Sequence, residues 1–447
     1  SYYSPQLSSF VFELMKPGME RLPGTFAAQG RRLIDQCLLI IESHRPEGCT
    51  TSARVSLNVA AFMDHEALIN EFLTSYLESD AVIEPQDPVL KLANTWANFV
   101  EAVQFEGDNF FSTYTYYPNG GTLKITCCDA SDMLKENYAS FAHVVGFSAT
   151  LKPFNYYAKL SGLDVTTTKM SEFKSPFPKS NRKLLVIPQV STKYSVRHAN
   201  YSKIADGISR IASIKPGNYF VFFPSFDFLE HVAARVKAPG FKIVKQTREM
   251  RNAAVEDVID QLKRGGDPIL LFGVQGGVFS EGVDYPGDMA IGAIIVGPGL
   301  PTFDLERELL REFYEKRYGE GFGYAYVYPA MTKVVQSAGR VIRSETDRGL
   351  IVLMDNRFLT KPYADSMPAD WYETSVQELV SREILKDIQN FWSGNQTAFN
   401  FDDAPEAPAR GGADSFAQSR VAADAYGQSR AQEAGEEPQF SPEETSQ

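Results

Sequence analysis

Hydrophobic positions along the chain fall into distinct regimes. Up to about residue 110 they recur every three or four residues, as in Leu33, Ile34, Cys37, Leu38 and Ile41, in Leu68, Ile69, Phe72, Leu73 and Tyr76, and in Leu90, Leu92, Trp96, Phe99 and Val100. This is the spacing of amphipathic helices and predicts a helical domain over residues 1–110. Over residues 111–165 the pattern changes to strand, helix and strand. From 166 to 394 short apolar runs at 184–187, 219–223, 241–244, 269–272, 291–296, 324–328 and 350–353 alternate with helical patterns such as 204–211 and 305–318. That alternation predicts an α/β domain whose mostly parallel sheet is covered on both faces. After Trp392 the composition shifts to Ala, Gln, Glu, Pro and Ser. Residues 395–447 therefore read as a disordered acidic tail, in which the echo of Phe416-Ala417-Gln418-Ser419-Arg420 by Tyr426-Gly427-Gln428-Ser429-Arg430 is a candidate docking site for a protein partner.

Composition sharpens this picture. The chain has 447 residues, 43% hydrophobic and 12% aromatic, enough for two or three cored domains. The formal charge of −12 is mostly tail: residues 395–447 hold ten acids against three arginines, leaving −5 for the rest. A near-balanced remainder has room for a local basic groove but does not itself argue for nucleic acid. No apolar run approaches the roughly 20 residues that span a bilayer, and no signal peptide precedes Ser1, so no membrane partner is expected and a cytoplasmic location is. The four cysteines are Cys37, Cys49, Cys127 and Cys128. Adjacent cysteines in a strand point to opposite faces and cannot wrap a cluster, so buried reduced thiols are expected. His143, His198 and His231 are scattered without the spacing of a metal site, and no metal ligand is assigned.

The strongest chemical signal is 335–343, Val-Gln-Ser-Ala-Gly-Arg-Val-Ile-Arg. Read as a helix, it puts Gln336, Arg340 and Arg343 on one arc while Val334, Ala338, Val341 and Ile342 face the other way. Two rigidly held guanidiniums suit bidentate recognition of a polyphosphate whose charge must be stabilised as a bond breaks. A second signal is the glycine-rich stretch 276–287 after the apolar run 269–272. There Ser280, Glu281 and Asp284 join Gly282 where strand ends of open sheets hold ligands. A third is the apolar run 144–147, read as a strand, ending in Ser148 and Thr150. Each has a structural alternative: surface arginines on an amphipathic helix, Asp284 capping the turn before Pro286, Ser148 and Thr150 capping the next segment. Phe223, Pro224 and Ser225 fit a DNA groove and fit equally a buried strand end with Ser225 as helix cap. The aromatic group Phe110, Phe111, Tyr114, Tyr116 and Tyr117 fits base stacking, and more commonly a packed sheet edge.

In this order the segments resemble the XPD/DinG-like branch of superfamily-two DNA helicases. Ser148-Ala149-Thr150-Leu151 is similar to motif III, Phe222-Phe223-Pro224-Ser225 to motif IV, Ser280-Glu281-Gly282-Val283-Asp284 to motif V and residues 336–343 to motif VI. Cys128-Asp129-Ala130-Ser131 and Met367-Pro368-Ala369-Asp370-Trp371 add smaller matches. The resemblance implies an α/β fold with a RecA-like second motor domain over 166–394, the remainder of a first motor domain over 111–165 and a helical arch-like domain over 1–110. It implies ATP hydrolysis with magnesium, with Arg340, Arg343 and Gln336 catalytic and Gly282, Asp284, Glu281 and Gly339 at the nucleotide. Ser148, Thr150, Phe223, Ser225 and Ser280 would couple that site to DNA. The expected activity is translocation on single-stranded or forked DNA, 5′ to 3′, in DNA repair. No P-loop and no acidic box occurs in these residues. The chain is therefore expected to be the carboxyl-terminal part of such a motor, inactive alone and partnered by the upstream half. That half would also hold the family's iron-sulfur cluster. The rival reading is a non-catalytic DNA- or partner-binding module that retains the fold.

Overall fold

The computed structural model describes residues 4–83, 85–105 and 107–394. The tail, with its Phe416 and Tyr426 echo, lies outside the described residues.

The first part of the chain runs β1 (Gln6–Ser8), α1 (Ser9–Met19), α2 (Phe26–Ser43), β2 (Ser52–Val55), α3 (Val59–Leu77), α4 (Pro88–Val103), β3 (Phe110–Tyr117) and β4 (Gly120–Cys127). The helical patterns become α2, α3 and α4, and their apolar faces meet in one core containing Phe12, Ile34, Phe62, Trp96 and Phe99. The expected boundary at residue 110 does not hold. β3 and β4 pair antiparallel with β2 and β1 in a four-stranded sheet of order β1-β4-β3-β2, and Tyr114, Leu123 and Ile125 lie in the same core as the helices. The reason is pairing: β1 and β2 are too short to carry a helical period, and the hairpin supplies their hydrogen-bonding neighbours. The aromatic group of β3 packs accordingly, with Tyr114 fully buried and Arg45 stacked 4.1 Å above Tyr116.

Next come α5 (Ser131–Tyr138) and α6 (Phe154–Leu160). The strand expected at 144–147 does not form: Val145 is 82% and Phe147 90% exposed, and neither residue pairs with a strand among the described residues. A strand exists only where a neighbour takes its backbone groups, whatever its propensity.

The remainder is β5 (Arg182–Ile187), α7 (Arg197–Ile214), β6 (Tyr219–Phe223), α8 (Phe226–Ala233), β7 (Lys242–Lys245), α9 (Asn252–Arg264), β8 (Ile269–Val274), β9 (Gly292–Val296), α10 (Leu305–Tyr318), α11 (Tyr328–Ala338), β10 (Gly349–Met354) and α12 (Ile384–Ser393). Six strands form one wholly parallel sheet of order β5-β10-β9-β6-β8-β7. Along β6 the side chains alternate between faces: Tyr219, Val221 and Phe223 join the core under α7 and α8, Phe220 and Phe222 the core under α9. The run 324–328, expected as a strand, is instead a π-helical turn over Gly323–Val327 that leads into α11. All five of its residues are buried, and a short, wholly buried apolar run has no period by which to tell strand from helix.

The first part is fastened to α10. Glu306 accepts hydrogen bonds from Lys124 Nζ at 2.6 and 2.7 Å and from Thr126 at 3.2 Å. Arg317 pairs with Asp129 at 3.0 Å and Asp132 at 3.3 Å.

Candidate functional site

The arginine pair sits beyond a helix end. α11 stops at Ala338, where the Gly339 N–H donates to Val335 O at 2.9 Å. Arg340 and Arg343 therefore stand on the turn that follows, and the expected helical row of Gln336, Arg340 and Arg343 is corrected to one helical residue and two turn residues. Further along this turn the carboxylate of Asp347 accepts the backbone N–H groups of Arg343 and Ser344, both at 2.7 Å. These capped amides are diverted from the helical ladder. Val341 still packs inward, fully buried, which keeps the turn against the sheet.

Arg340 reaches across to the glycine-rich loop after β8. Its Nε donates to Ser280 O at 2.9 Å and Nη1 to Val283 O at 2.5 Å. Gly282, at φ +75°, lets the loop turn between those two carbonyls, a conformation L side chains avoid. Burial, then the neighbouring charge of Arg343, lowers the Arg340 pKa from its ordinary value, yet a guanidinium stays charged at any physiological pH. Arg343 pairs with Asp284 Oδ1 at 3.1 Å, and the Asp284 side chain is 81% exposed. A pair so wet contributes about 0–1 kcal/mol, so Arg343 exchanges it readily for a stronger anion.

A cleft of about 850 Å³ brings Arg340 and Arg343 together with Gln336, Gly339, Ser148 and Thr150. Residues 148 and 150, nearly two hundred positions upstream of the arginines, thus share one cavity with them. Trp371 and Arg182 also line it, with Arg182 held to Asp370 at 3.1 Å. Guanidiniums, hydroxyls and an amide make a donor set for a polyanion. Among the described residues no group of three or more His, Cys, Asp or Glu side chains is placed to hold a metal ion. Asp284 and Glu281 stand behind the arginines on the loop and do not line the cleft.

Three candidates are placed differently. Ser280 is 1% exposed and its hydroxyl donates to Gly277 O at 2.9 Å, closing the loop. Phe223 is fully buried in the sheet core, and Ser225 Oγ accepts the Phe228 N–H at 3.2 Å as the cap of α8. The ring of Phe223 is therefore out of reach of a nucleic acid, because both faces of β6 are covered. Asp347 escaped the sequence reading, although Ser344-x-x-Asp347 is a side-chain turn signal that would have marked the helix end. The cysteines are free thiols. Burial raises Cys127 to about 11 and Cys128 to about 12, and Cys37 well above its ordinary value.

Residues 208–374 match the model of the helicase C-terminal domain. The ATP-dependent DNA helicase DinG of Photobacterium profundum is 32% identical over 238 residues, 49% of this chain and 33% of that protein. The XPD helicase subunit of general transcription and DNA repair factor IIH from Arabidopsis thaliana is 27% identical over 271 residues, 55% of this chain and 35% of that protein. The chain thus spans about a third of the length of these relatives. Among solved structures, S. tokodaii Xpd4 superposes with a TM-score of 0.53 at 17% identity, covering 79% of this chain and 68% of that one, a likeness of fold. The parallel-sheet region that carries the arginine turn is thus similar to the helicase C-terminal domain and to helicases of the DinG and XPD kind.

Proposed function

We propose that this chain forms the second motor half of an ATP-dependent DNA helicase. Arg340 and Arg343 would stabilise the charge that develops on the nucleotide's phosphates, and Ser148 and Thr150 would couple that event to single-stranded DNA. The observation that carries this reading is the cleft itself, where a half-buried, carbonyl-anchored arginine and a loosely paired one face the hydroxyls of another segment. Fixed donors aimed at developing charge are the largest single contribution in such sites.

ATP and magnesium would be shared with a second half that contributes the P-loop and the acidic box. The extended segment 143–148, with Val145 and Phe147 in solvent, suits addition to that half's sheet. Movement along the strand would run 5′ to 3′. The iron-sulfur cluster belongs to the same complementary half, and a cytoplasmic location fits the free thiols.

The test is phosphate release stimulated by single-stranded DNA. This chain alone should show none above background. The complete enzyme should lose about three to five orders of magnitude in turnover on Arg343→Ala. Turnover by the isolated chain that Arg343→Ala abolishes would sink the claim that a second half is needed. Binding to DNA without any nucleotide effect in the complete enzyme would favour the rival, a binding module on a motor scaffold.

A further inference from the structure

Ser148 and Thr150 line the cleft from a segment that has little to hold it. Within residues 142–152 the two hydroxyls meet each other at 3.5 Å, and the Thr150 N–H donates to Ser148 Oγ at 3.3 Å. Both contacts are internal to the segment. Among the described residues no backbone group of 142–152 bonds to another part of the chain. One ion pair leaves it: Lys152 Nζ lies 2.7 Å from Glu172 Oε2.

Glu172 is itself held from the far side. Its other oxygen, Oε1, accepts the Ala369 N–H at 2.9 Å. The next residue, Asp370, is tied to the parallel sheet, because Nη2 of Arg182, the first residue of β5, donates to Asp370 O at 2.8 Å and to Oδ2 at 3.1 Å. A line of polar contacts thus runs from β5 through Asp370, Ala369 and Glu172 to Lys152, two positions beyond Thr150. A carboxylate that takes a cation on one oxygen and an amide on the other is fixed in orientation as well as in place. The side chains of Lys152 and Glu172 are 25% and 29% exposed, so water screens this pair less than it screens the Arg343–Asp284 pair. Lys152, Glu172 and Asp370 all line the cleft that holds the two arginines. A lone carboxylate there would repel a polyanion; with its charge met by Lys152, Glu172 does not.

We propose that Glu172 is a positioning residue of the phosphate site, clasping Lys152 and so setting where the Ser148 and Thr150 hydroxyls stand relative to Arg340 and Arg343. The inference rests on the reading that this cleft stabilises charge developing on the nucleotide's phosphates, and it adds two residues that the motif III to VI segments do not include. Displacing an aligned group by about 1 Å costs on the order of a hundredfold in rate.

The experiment measures single-stranded-DNA-stimulated ATP hydrolysis by the complete enzyme, resolved into kcat and KM, together with amide exchange in the 447-residue chain. Glu172→Gln keeps an acceptor for the Ala369 N–H and loses the ion pair, whereas Glu172→Ala loses both. Exchange at Ala369 should therefore accelerate with Glu172→Ala and stay slow with Glu172→Gln, and the rest of the exchange pattern reports that each variant is folded. Lys152→Met and Glu172→Gln should each lower kcat by up to about a hundredfold and move KM for ATP in opposite directions. It rises where Glu172 is left unpaired before a polyanion and falls where Lys152 is freed to meet one. Loss of folded enzyme alone would leave KM where it was. The double variant should be no slower than either single one, and Lys152→Arg, which keeps the pair, should retain most of the turnover. Single variants with unchanged kcat, in an enzyme that Arg343→Ala inactivates, overturn the positioning role and leave the phosphate reading standing. Losses that add in the double variant overturn the clasp as one unit. A wild-type complete enzyme that hydrolyses no ATP fails the phosphate reading, and this inference with it.

Discussion

Arg340 and Arg343 are both arginines of one turn, and their surroundings give them different tasks. Arg340 is anchored by two carbonyls of the glycine-rich loop, so its removal leaves Ser280 O and Val283 O without that donor. Arg340→Ala should therefore destabilise the fold by about 1–3 kcal/mol as well as impair turnover, while Arg343→Ala, which loses only an exposed ion pair, should leave the unfolding midpoint nearly unchanged. Urea denaturation of the two variants separates them. Affinity for single-stranded DNA without nucleotide should move little in either. Asp347 sets the geometry of both. Burial pushes its pKa up, but the amides of Arg343 and Ser344 and the Ser344 hydroxyl outweigh it, and the folded value lies below the ordinary one. Its contribution is then complete above the unfolded pKa of about 3.9 and disappears as pH falls through the folded value. Amide exchange at Arg343 and Ser344 should stay slow from pH 7 to 5 and accelerate below pH 4, and Asp347→Asn should remove that dependence.

At the scale of elements, the decisive feature is where helices and strands stop. The loop from β8 to β9 depends on Gly282 at φ +75°, with open space where a Cβ would stand. Gly282→Ala should cost about 1–2 kcal/mol of backbone strain without any clash and shift the two carbonyls that anchor Arg340. Gly282→Asn, a residue that tolerates this conformation, should recover most of the loss. The π-turn before α11 is tied to α10 by Tyr326, whose hydroxyl donates to Glu308 at 2.5 Å, so the register of α11 and of the arginines beyond it is referred to α10. Extra-residue turns of this kind often mark functional sites.

For the whole molecule, α10 joins the helical part to the parallel-sheet domain. Arg317 faces Asp129, whose side chain has no exposure. Arg317 itself is 34% exposed, and the Tyr318 hydroxyl and the Ser131 amide still bond Asp129, so Arg317→Met should cost about 1–2 kcal/mol, less than the roughly 3–5 of a fully buried pair. Limited proteolysis should then cut earlier between residues 128 and 160, ahead of the parallel-sheet domain. The cysteines make a further prediction: with thiols raised by burial and Cys127 and Cys128 adjacent, the purified chain should be colourless, and iron and sulfide analysis after anaerobic preparation should find no stoichiometric cluster.

The sequence by itself determined the elements whose period is long enough to be unambiguous. The apolar faces of α2, α3 and α4 and the buried runs that became β5, β6, β8, β9 and β10 were legible because burial on one face, or on both, writes its own spacing into the residues. The motif residues at 280–284 and 336–343 were legible because few chemistries need a glycine loop and paired arginines in that order. Only the tertiary structure decided what depends on distant neighbours. Residues 144–147 have strand composition and, among the described residues, no strand to pair with, Tyr324 and Tyr326 alternate like a strand yet wind into a π-turn that runs into α11 at Tyr328, and beyond α11 Asp347 takes the amides of Arg343 and Ser344. Arg197 opens α7, Phe226 opens α8 and Arg248 follows β7, and the parallel sheet brings these separate segments into contact through strand order, which no local pattern records.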